Sequence, residues 1–274
     1  MGDLFVADNG DGYIFEFTPT GVQTTFASGL SYPCGLAFDS AGNLFVADSG
    51  SGNIYKFTPS GAQSTFASGL NNPFGLAFDG ASNLFVSAYG SGNIYKYTPG
   101  GAQSTFASGV AGPIGLAINS AGDLFVVSRN NISLNGGSVY KFTTNGVQST
   151  IASGLDVYIV GLAIDSAGDL FVADYGGSGS IIEITPGGVQ SIFASSLGGP
   201  EGLAFQPVPL LMAVVTNSAF QITVSMPSPY YSTIIQTSTN LVNWANIYTN
   251  TPPFTFTDPM MTTGPRFFRA VLGP

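Results

Sequence analysis

Over the first 206 positions, apolar residues fall in short runs separated by Gly, Pro, Ser, Asn and Asp, and the runs recur in order. Leu-Phe-Val begins at Leu4, Leu44, Leu84, Leu124 and Leu170, a spacing of 40 residues three times and then 46. Gly-Leu-Ala keeps a parallel rhythm from Gly35, Gly75, Gly115, Gly161 and Gly202. One unit reads Gly35-Leu36-Ala37-Phe38, a turn at Ser40-Ala41-Gly42, then Leu44-Phe45-Val46-Ala47-Asp48. After Ser49-Gly50-Ser51-Gly52 come Ile54-Tyr55-Lys56-Phe57, a turn at Pro59-Ser60-Gly61, and Ser64-Thr65-Phe66-Ala67. Runs this short, bounded by turn residues, predict strands, and none has the length or period of a helix. Four strands in about 40 residues is the arithmetic of one β-propeller blade.

Within a unit the pattern assigns each strand its place. Strand a, Gly-Leu-Ala-Phe, is small and apolar and suits the crowded inner position. Strand b, Leu-Phe-Val, reads as buried on both faces between blades, strand c alternates with its Lys turned outward, and the polar strand d suits the outer edge. The chain enters at a strand b and the repeats end at a lone strand a, Gly202-Leu203-Ala204-Phe205, so these halves complete one blade and close the ring. Closure also removes two sheet edges that invite aggregation. The fold class is therefore all-β, with a five-bladed propeller over 1–206 and a small C-terminal β-sandwich over 207–274, Trp244 anchoring its core. Two rivals stay open: Leu210–Val215 as strand b of a sixth blade, and an N-terminally trimmed piece of a larger ring.

Composition narrows the chemistry more than it names it. The 274 residues contain no His and one Cys, so a Ser-His-Asp or Cys-His catalytic unit, an imidazole zinc site and an internal disulfide are all excluded. A net charge of −9 with only 6 cations, none clustered, opposes a nucleic-acid surface. No apolar run approaches the ~20 residues of a membrane helix. Met1-Gly2-Asp3 shows no signal-peptide character, so an export signal would have been removed or lie upstream. Sparse charge on a Ser-, Thr-, Gly- and Asn-rich surface points to an extracellular or cell-surface protein.

The unit from Pro33 to Gly61 resembles an NHL repeat, and the likeness runs over residues 1–206. The entering Pro stands at Pro33, Pro73, Pro113 and Pro200, with Ile159 the break. A Gly two residues before strand b stands at Gly2, Gly42, Gly122 and Gly168, with Ser82 the exception. The tail, including Asn243-Trp244 and Arg266-Phe267-Phe268-Arg269, resembles fibronectin- or immunoglobulin-like modules of secreted bacterial proteins. NHL propellers and their relatives include histidine-dependent lyases, basic RNA binders, sensors and lactonases. The resemblance therefore implies the fold and leaves the activity open.

Candidate chemistry sits on the face shared by the b–c and d–a loops, where a channel mouth is expected. Departures from the repeat carry most of the information there. Arg129, Tyr89, Tyr175, Glu201, Tyr32 and Phe74 form a candidate pocket for a sugar or other neutral polar ligand. The residues before the strand-a glycine (Cys34, Phe74, Ile114, Val160 and Glu201) predict a mostly apolar mouth with one acid. Asp8, Asp48 and Asp174 at strand-b exits are candidate oxygen ligands for Ca or Mg, although each also suits capping of its own Gly-rich turn. Cys34 itself reads as a small buried residue, and Lys56, Lys96 and Lys141 as an outer ring of solvated charges. The fourth unit alone gains a long b–c loop, Arg129–Asn135, facing the altered d–a loop Asp156–Val160, and the two are expected to meet above the mouth. The leading expectation is a non-catalytic extracellular binding or assembly module with a protein or carbohydrate partner, or with self-association. The alternative is a metal-assisted hydrolase or lactonase at the mouth, using the Asp residues with Glu201.

Overall fold

The computed structural model describes residues 3–198 apart from 19, 130–135, 166, 177 and 178, then 200 and 203, and the strand backbone between 210 and 272. Among the described residues every regular element is a strand. Residues Phe5–Glu16 and Gln23–Phe205 make up one compact unit, a five-bladed β-propeller.

Blade one is the sheet β1 (Leu4–Asp8), β2 (Tyr13–Phe17) and β3 (Gln23–Ala27). Blade two is β4 (Pro33–Phe38), β5 (Leu44–Asp48), β6 (Asn53–Phe57) and β7 (Gln63–Ala67), and blade three is β8 (Pro73–Phe78), β9 (Leu84–Ala88), β10 (Asn93–Tyr97) and β11 (Gln103–Ala107). Blade four comprises β12 (Pro113–Ile118), β13 (Leu124–Ser128), β14 (Gly137–Phe142) and β15 (Gln148–Leu155). Blade five comprises β16 (Ile159–Ile164), β17 (Leu170–Asp174), β18 (Ser180–Ile184) and β19 (Gln190–Ser195). In blades two to five each strand pairs antiparallel with the next in sequence.

Alternation along strand b explains why its sequence is continuously apolar. Leu44 and Val46 pack against Ile14 of blade one, while Phe45 and Ala47 pack against Leu76, Leu84 and Val86 of blade three. Both faces are thus interfaces between blades, and Leu44, Leu84, Leu124 and Leu170 are each only 1% exposed. Strand d fulfils its predicted edge role, with the first three residues of β7, β11 and β15 exposed.

The glycine of strand a has an equally concrete cause. A Cβ on Gly35 would lie 2.2 Å from the Phe74 carbonyl oxygen, one on Gly75 2.1 Å from that of Ile114, and one on Gly115 2.6 Å from that of Val160. Each inner strand therefore rests on the backbone of the next, a separation only glycine permits. Strand a also opens with a bulge in every blade from two to five: Pro33 pairs with Asp48 and the register resumes with Leu36 on Val46. The extra residue re-aims the chain, which brings Cys34, Phe74, Ile114 and Val160 to the wall of the axial space.

Closure by a strand over 202–206 lies outside the described residues, Leu203 excepted. Leu203 packs on Phe171, Ala173 and Ile181 of blade five, as Leu76 packs on Phe45, Ala47 and Ile54 of blade two. The other unit gathers Gln206–Pro274 with Met1–Leu4 and Phe17–Val22. It holds β20 (Leu210–Thr216), β21 (Ala219–Ser225), β22 (Thr233–Ser238), β23 (Ala245–Asn250), β24 (Phe254–Asp258) and β25 (Phe267–Leu272). These form two three-stranded antiparallel sheets, ordered β20-β21-β24 and β23-β22-β25. The expected sandwich core, its Trp244 anchor and the fibronectin or immunoglobulin likeness depend on side chains outside the described set.

The lysines of strand c are a correction. Lys56 lies 3.6 Å from Asp39 and 5.2 Å over the Phe45 ring, Lys96 repeats this with Asp79 and Phe85, and Lys141 lies 2.8 Å from Asp123 and over Phe125. They are ion-paired to the a–b turns rather than freely solvated, because antiparallel pairing sets each lysine opposite the strand-b phenylalanine that follows that turn. Burial acts to raise the Asp39 carboxyl, but hydrogen bonds from the Asn43 side chain and backbone, from the Ala41 N–H, and the Lys56 charge outweigh it and hold it low. Asp79 is lowered in the same way by Asn83, Ala81 and Lys96.

Candidate functional site

The b–c and d–a loops do share one face, and a repeated backbone bond joins them. Ser49, Tyr89, Arg129 and Tyr175, each first in its b–c loop, donate their N–H to the carbonyls of Tyr32, Asn72, Gly112 and Tyr158 respectively. Inside this ring of loops the inner strands enclose a cavity of about 600 Å³. Its wall takes one leucine from each of the strand-a repeats, Leu36, Leu76, Leu116, Leu162 and Leu203, together with Cys34, Phe74, Ile114 and Val160. The mostly apolar mouth read from the residues before the strand-a glycine is what four of those five positions build.

Polar side chains on this wall are few, and they gather at blades four and five. Arg129, Tyr158 and Tyr175 stand there, with Asn9 from blade one. The Arg129 Nε donates to the Ile159 carbonyl at 3.2 Å, so the loop before β16 holds the guanidinium from the neighbouring blade. The same loop accepts the Tyr175 N–H through the Tyr158 carbonyl at 3.1 Å. Arg129 and Asp156–Val160 thus meet as their shared departure from the repeat suggested. Asn130–Asn135 lie outside the described residues.

Of the candidate pocket residues, Arg129, Tyr175 and Phe74 line the cavity. Tyr32 and Tyr89 do not. Tyr32 has a φ of 57° and is well exposed, and its ring lies beside Gly50 in the adjoining b–c loop. The Tyr89 ring packs towards Gly112. Glu201 lies outside the described residues. Tyr158 was missed. Its signal was its place in the one d–a loop that loses the entering Pro. Cys34 is half-buried in the cavity wall rather than in the core, and its Sγ lies 3.4 Å from the Tyr32 carbonyl and 3.7 Å from the Ser49 Oγ.

The three strand-b carboxylates serve their loops. Asp8 accepts from the N–H groups of Gly10 at 3.1 Å and Asp11 at 3.3 Å, and Asp174 accepts from the Gly176 N–H at 2.9 Å. Asp48 is 1% exposed; its Oδ1 accepts from the Ser31 N–H at 2.7 Å and its Oδ2 from the Ser51 hydroxyl at 2.6 Å. Ser128, at the same position in blade four, donates to the Ala111 carbonyl. A polar residue at this corner thus ties strand b to the d–a loop beside it. Among the described residues no group of three or more His, Cys, Asp or Glu side chains gathers to hold a metal ion. With both Asp48 oxygens engaged and Asp8 and Asp174 bonded within their own turns, these residues do not fit a Ca or Mg centre.

Ser87 is a second departure on the inner wall, replacing the Ala47 and Ala173 of blades two and five. Fully buried, its Oγ accepts from the Gly75 N–H and donates to the Ile114 carbonyl, both at 2.7 Å, and so joins blades three and four at the bulge.

Comparison with known proteins places the fold. No protein-family model matches the chain, and no curated protein matches it by sequence. Solved structures do. Virginiamycin B lyase from Staphylococcus aureus is 15% identical with a TM-score of 0.62, over 76% of this chain and 72% of that one. A gluconolactonase from Xanthomonas campestris is 14% identical with a TM-score of 0.63, over 81% and 79%. The propeller of a nidogen/laminin complex is 18% identical with a TM-score of 0.64, over 81% and 85%. These neighbours of NHL-like type share the β-propeller fold, and enzymes stand among them beside a protein-binding propeller. That finding overturns the expectation of a non-catalytic module. The expectation leaned on similar repeats, missing histidine and few loop carboxylates, yet repeats build the scaffold and leave the loops free to differ from one propeller to the next. No helix among the described residues is long and apolar enough to cross a membrane.

Proposed function

We propose that this chain is an enzyme of the lactonase or esterase kind, hydrolysing a small carboxylic ester in the axial cavity. The observation that carries the reading is the placing of Arg129: a lone cation among the described wall residues, held by the Ile159 carbonyl over a wall whose other side chains are mostly apolar. In hydrolysis water adds to the acyl carbon, the acyl–oxygen bond breaks, and an alcohol and a carboxylate result. Negative charge develops first on the carbonyl oxygen and remains on the product acid. A guanidinium fixed beforehand stabilises that charge with little reorganisation, and such groups are worth about 10²–10³ in rate. Tyr158 and Tyr175 flank the same edge and offer hydroxyl donors. Glu201, the acid before the last strand-a glycine, is our candidate for the base that takes the proton from water. Action outside the cytoplasm belongs to the same proposal and is supported by the charge-poor composition.

The test is a titrimetric assay of the purified chain against a panel of lactones and open esters, with Arg129→Gln and Glu201→Gln beside it. We expect turnover of at least one class, reduced about a hundredfold by Arg129→Gln in a protein that melts normally. Absence of turnover across the panel, or full activity in Arg129→Gln, refutes the proposal.

A further inference from the structure

We infer that the cavity selects a ligand with an apolar body and a single carboxylate or ester carbonyl, rather than a sugar or other polyhydroxylated molecule. The inference rests on the reading of this cavity as the active site and names its substrate class. It also corrects the sugar-like ligand suggested by the sequence.

The distribution of polar groups carries the argument. One leucine from each strand-a repeat lines the cavity, and Phe74 adds an aromatic face. Beyond the proposed base Glu201, which lies outside the described residues, no carboxylate of the kind that ordinarily receives sugar hydroxyls stands on the described wall: Asp8, Asp48 and Asp174 are bonded to their own corners, and Asp156 accepts the Tyr158 N–H at 3.0 Å. Ser87 meanwhile occupies the Gly75 N–H and the Ile114 carbonyl, two backbone groups that would otherwise face a ligand on that side. A polyol placed here would set most of its hydroxyls against leucine and phenylalanine side chains, where only main-chain groups remain to bond them, and each hydroxyl left unpaired adds to the loss.

An acyl compound meets the opposite situation. Its body replaces water from the leucine ring, and its one polar end reaches the edge where Arg129, the one cation among the described wall residues, stands. In a chain of net charge −9 that edge is also the place where an anion is locally attracted. A cavity of about 600 Å³ takes a single ring with a short chain comfortably.

Isothermal titration with 4-phenylbutyrate, 4-phenylbutan-1-ol and gluconate tests this without turnover. We expect 4-phenylbutyrate to bind about tenfold or more tighter than either comparison ligand, the gain of a charge-assisted bond. Arg129→Gln should reduce it to the affinity of the alcohol and leave the alcohol unchanged. Gluconate binding as tightly as 4-phenylbutyrate, or equal affinity of acid and alcohol in the unaltered protein, overturns the inference; both comparisons hold even if the variant fails to fold. Hydrolysis of lactones with no such preference would sink this inference alone. The expected preference with no hydrolysis of any ester would sink the proposed function and leave the selectivity standing.

Discussion

Replacing Tyr97 by Phe removes one oxygen from the interface of blades two and three and should make the protein more stable. Tyr97 is 2% exposed at the end of β10, with its ring 5.4 Å from Phe66. Its hydroxyl is buried, and the described residues give it no hydrogen-bond partner. Phe57 and Phe142 hold the same place in blades two and four, equally buried, so the site accepts a bare ring. An unpaired buried hydroxyl costs about 1–3 kcal/mol, which Tyr97→Phe should return. For a domain of this size that is a rise in Tm of roughly 2–4 °C per kcal/mol.

Alkaline pH supplies an independent reading of the same group. Burial, helped by the neighbouring Tyr95, pushes the Tyr97 phenol up to about 12 from 10.0. Below pH 10 both folded and unfolded chains keep the proton and the residue adds no pH dependence. Between pH 10 and about 12 the unfolded chain loses it first, so stability falls as pH rises, by about 1.4 kcal/mol per unit. Urea unfolding of both proteins at pH 7 and pH 11 measures this, since the other tyrosines and lysines cancel in the comparison. A Phe variant less stable at pH 7, or one whose advantage fails to grow at pH 11, would show that the hydroxyl has a partner and that the reasoning is wrong.

Gly75→Ala should destabilise by several kcal/mol or prevent folding, because its Cβ would lie 2.1 Å from the Ile114 carbonyl oxygen; thermal melts beside Gly80→Ala, which meets nothing within 4 Å, give the control. Ser82 holds a φ of 61° where Gly42, Gly122 and Gly168 stand in other blades, so Ser82→Gly should stabilise by about 1 kcal/mol in urea unfolding. Asp39 and Asp79 are held below their ordinary value of 3.8, so their contribution is complete above that pH and is lost as pH falls through their lowered folded values. An Asp39→Asn, Asp79→Asn protein should therefore lose part of the acid dependence that the parent shows in melts below pH 4, and identical acid limbs would contradict the assignment.

Much of the propeller was legible because its determinants are local. Alternation along β6, the unbroken apolar run of β5 and the Gly turn after Asp39 are properties of neighbouring residues, and they repeat often enough to count blades. The apolar mouth was legible too, since a single position in each unit, Cys34 to Val160, sets its wall. Side-chain pairing across a blade is a different matter. The sequence placed Lys56 on the outer face but held no sign of Asp39, 17 residues away, which the register of β6 on β5 and of β5 on β4 brings near it.

The same distinction divides the candidate site. Arg129, Tyr89 and Tyr175 occupy one position of the repeat, yet Arg129 and Tyr175 reach the cavity and the Tyr89 ring lies against Gly112. Their backbone bonds to the adjoining loop are alike; what differs for Arg129 is the next loop, where Ile159 replaces the entering Pro of other blades and its carbonyl accepts from the guanidinium. Asp48 reads from the sequence first as a cap of its own turn and second as a metal ligand, and only the structure shows Ser31, from the preceding loop, donating to it. Periodicity and turn chemistry act over a few residues and specify each strand and its face. The angle between blades decides which loop side chains share a cavity, and that angle exists only once the glycines of the inner strands have packed against the backbone of their neighbours.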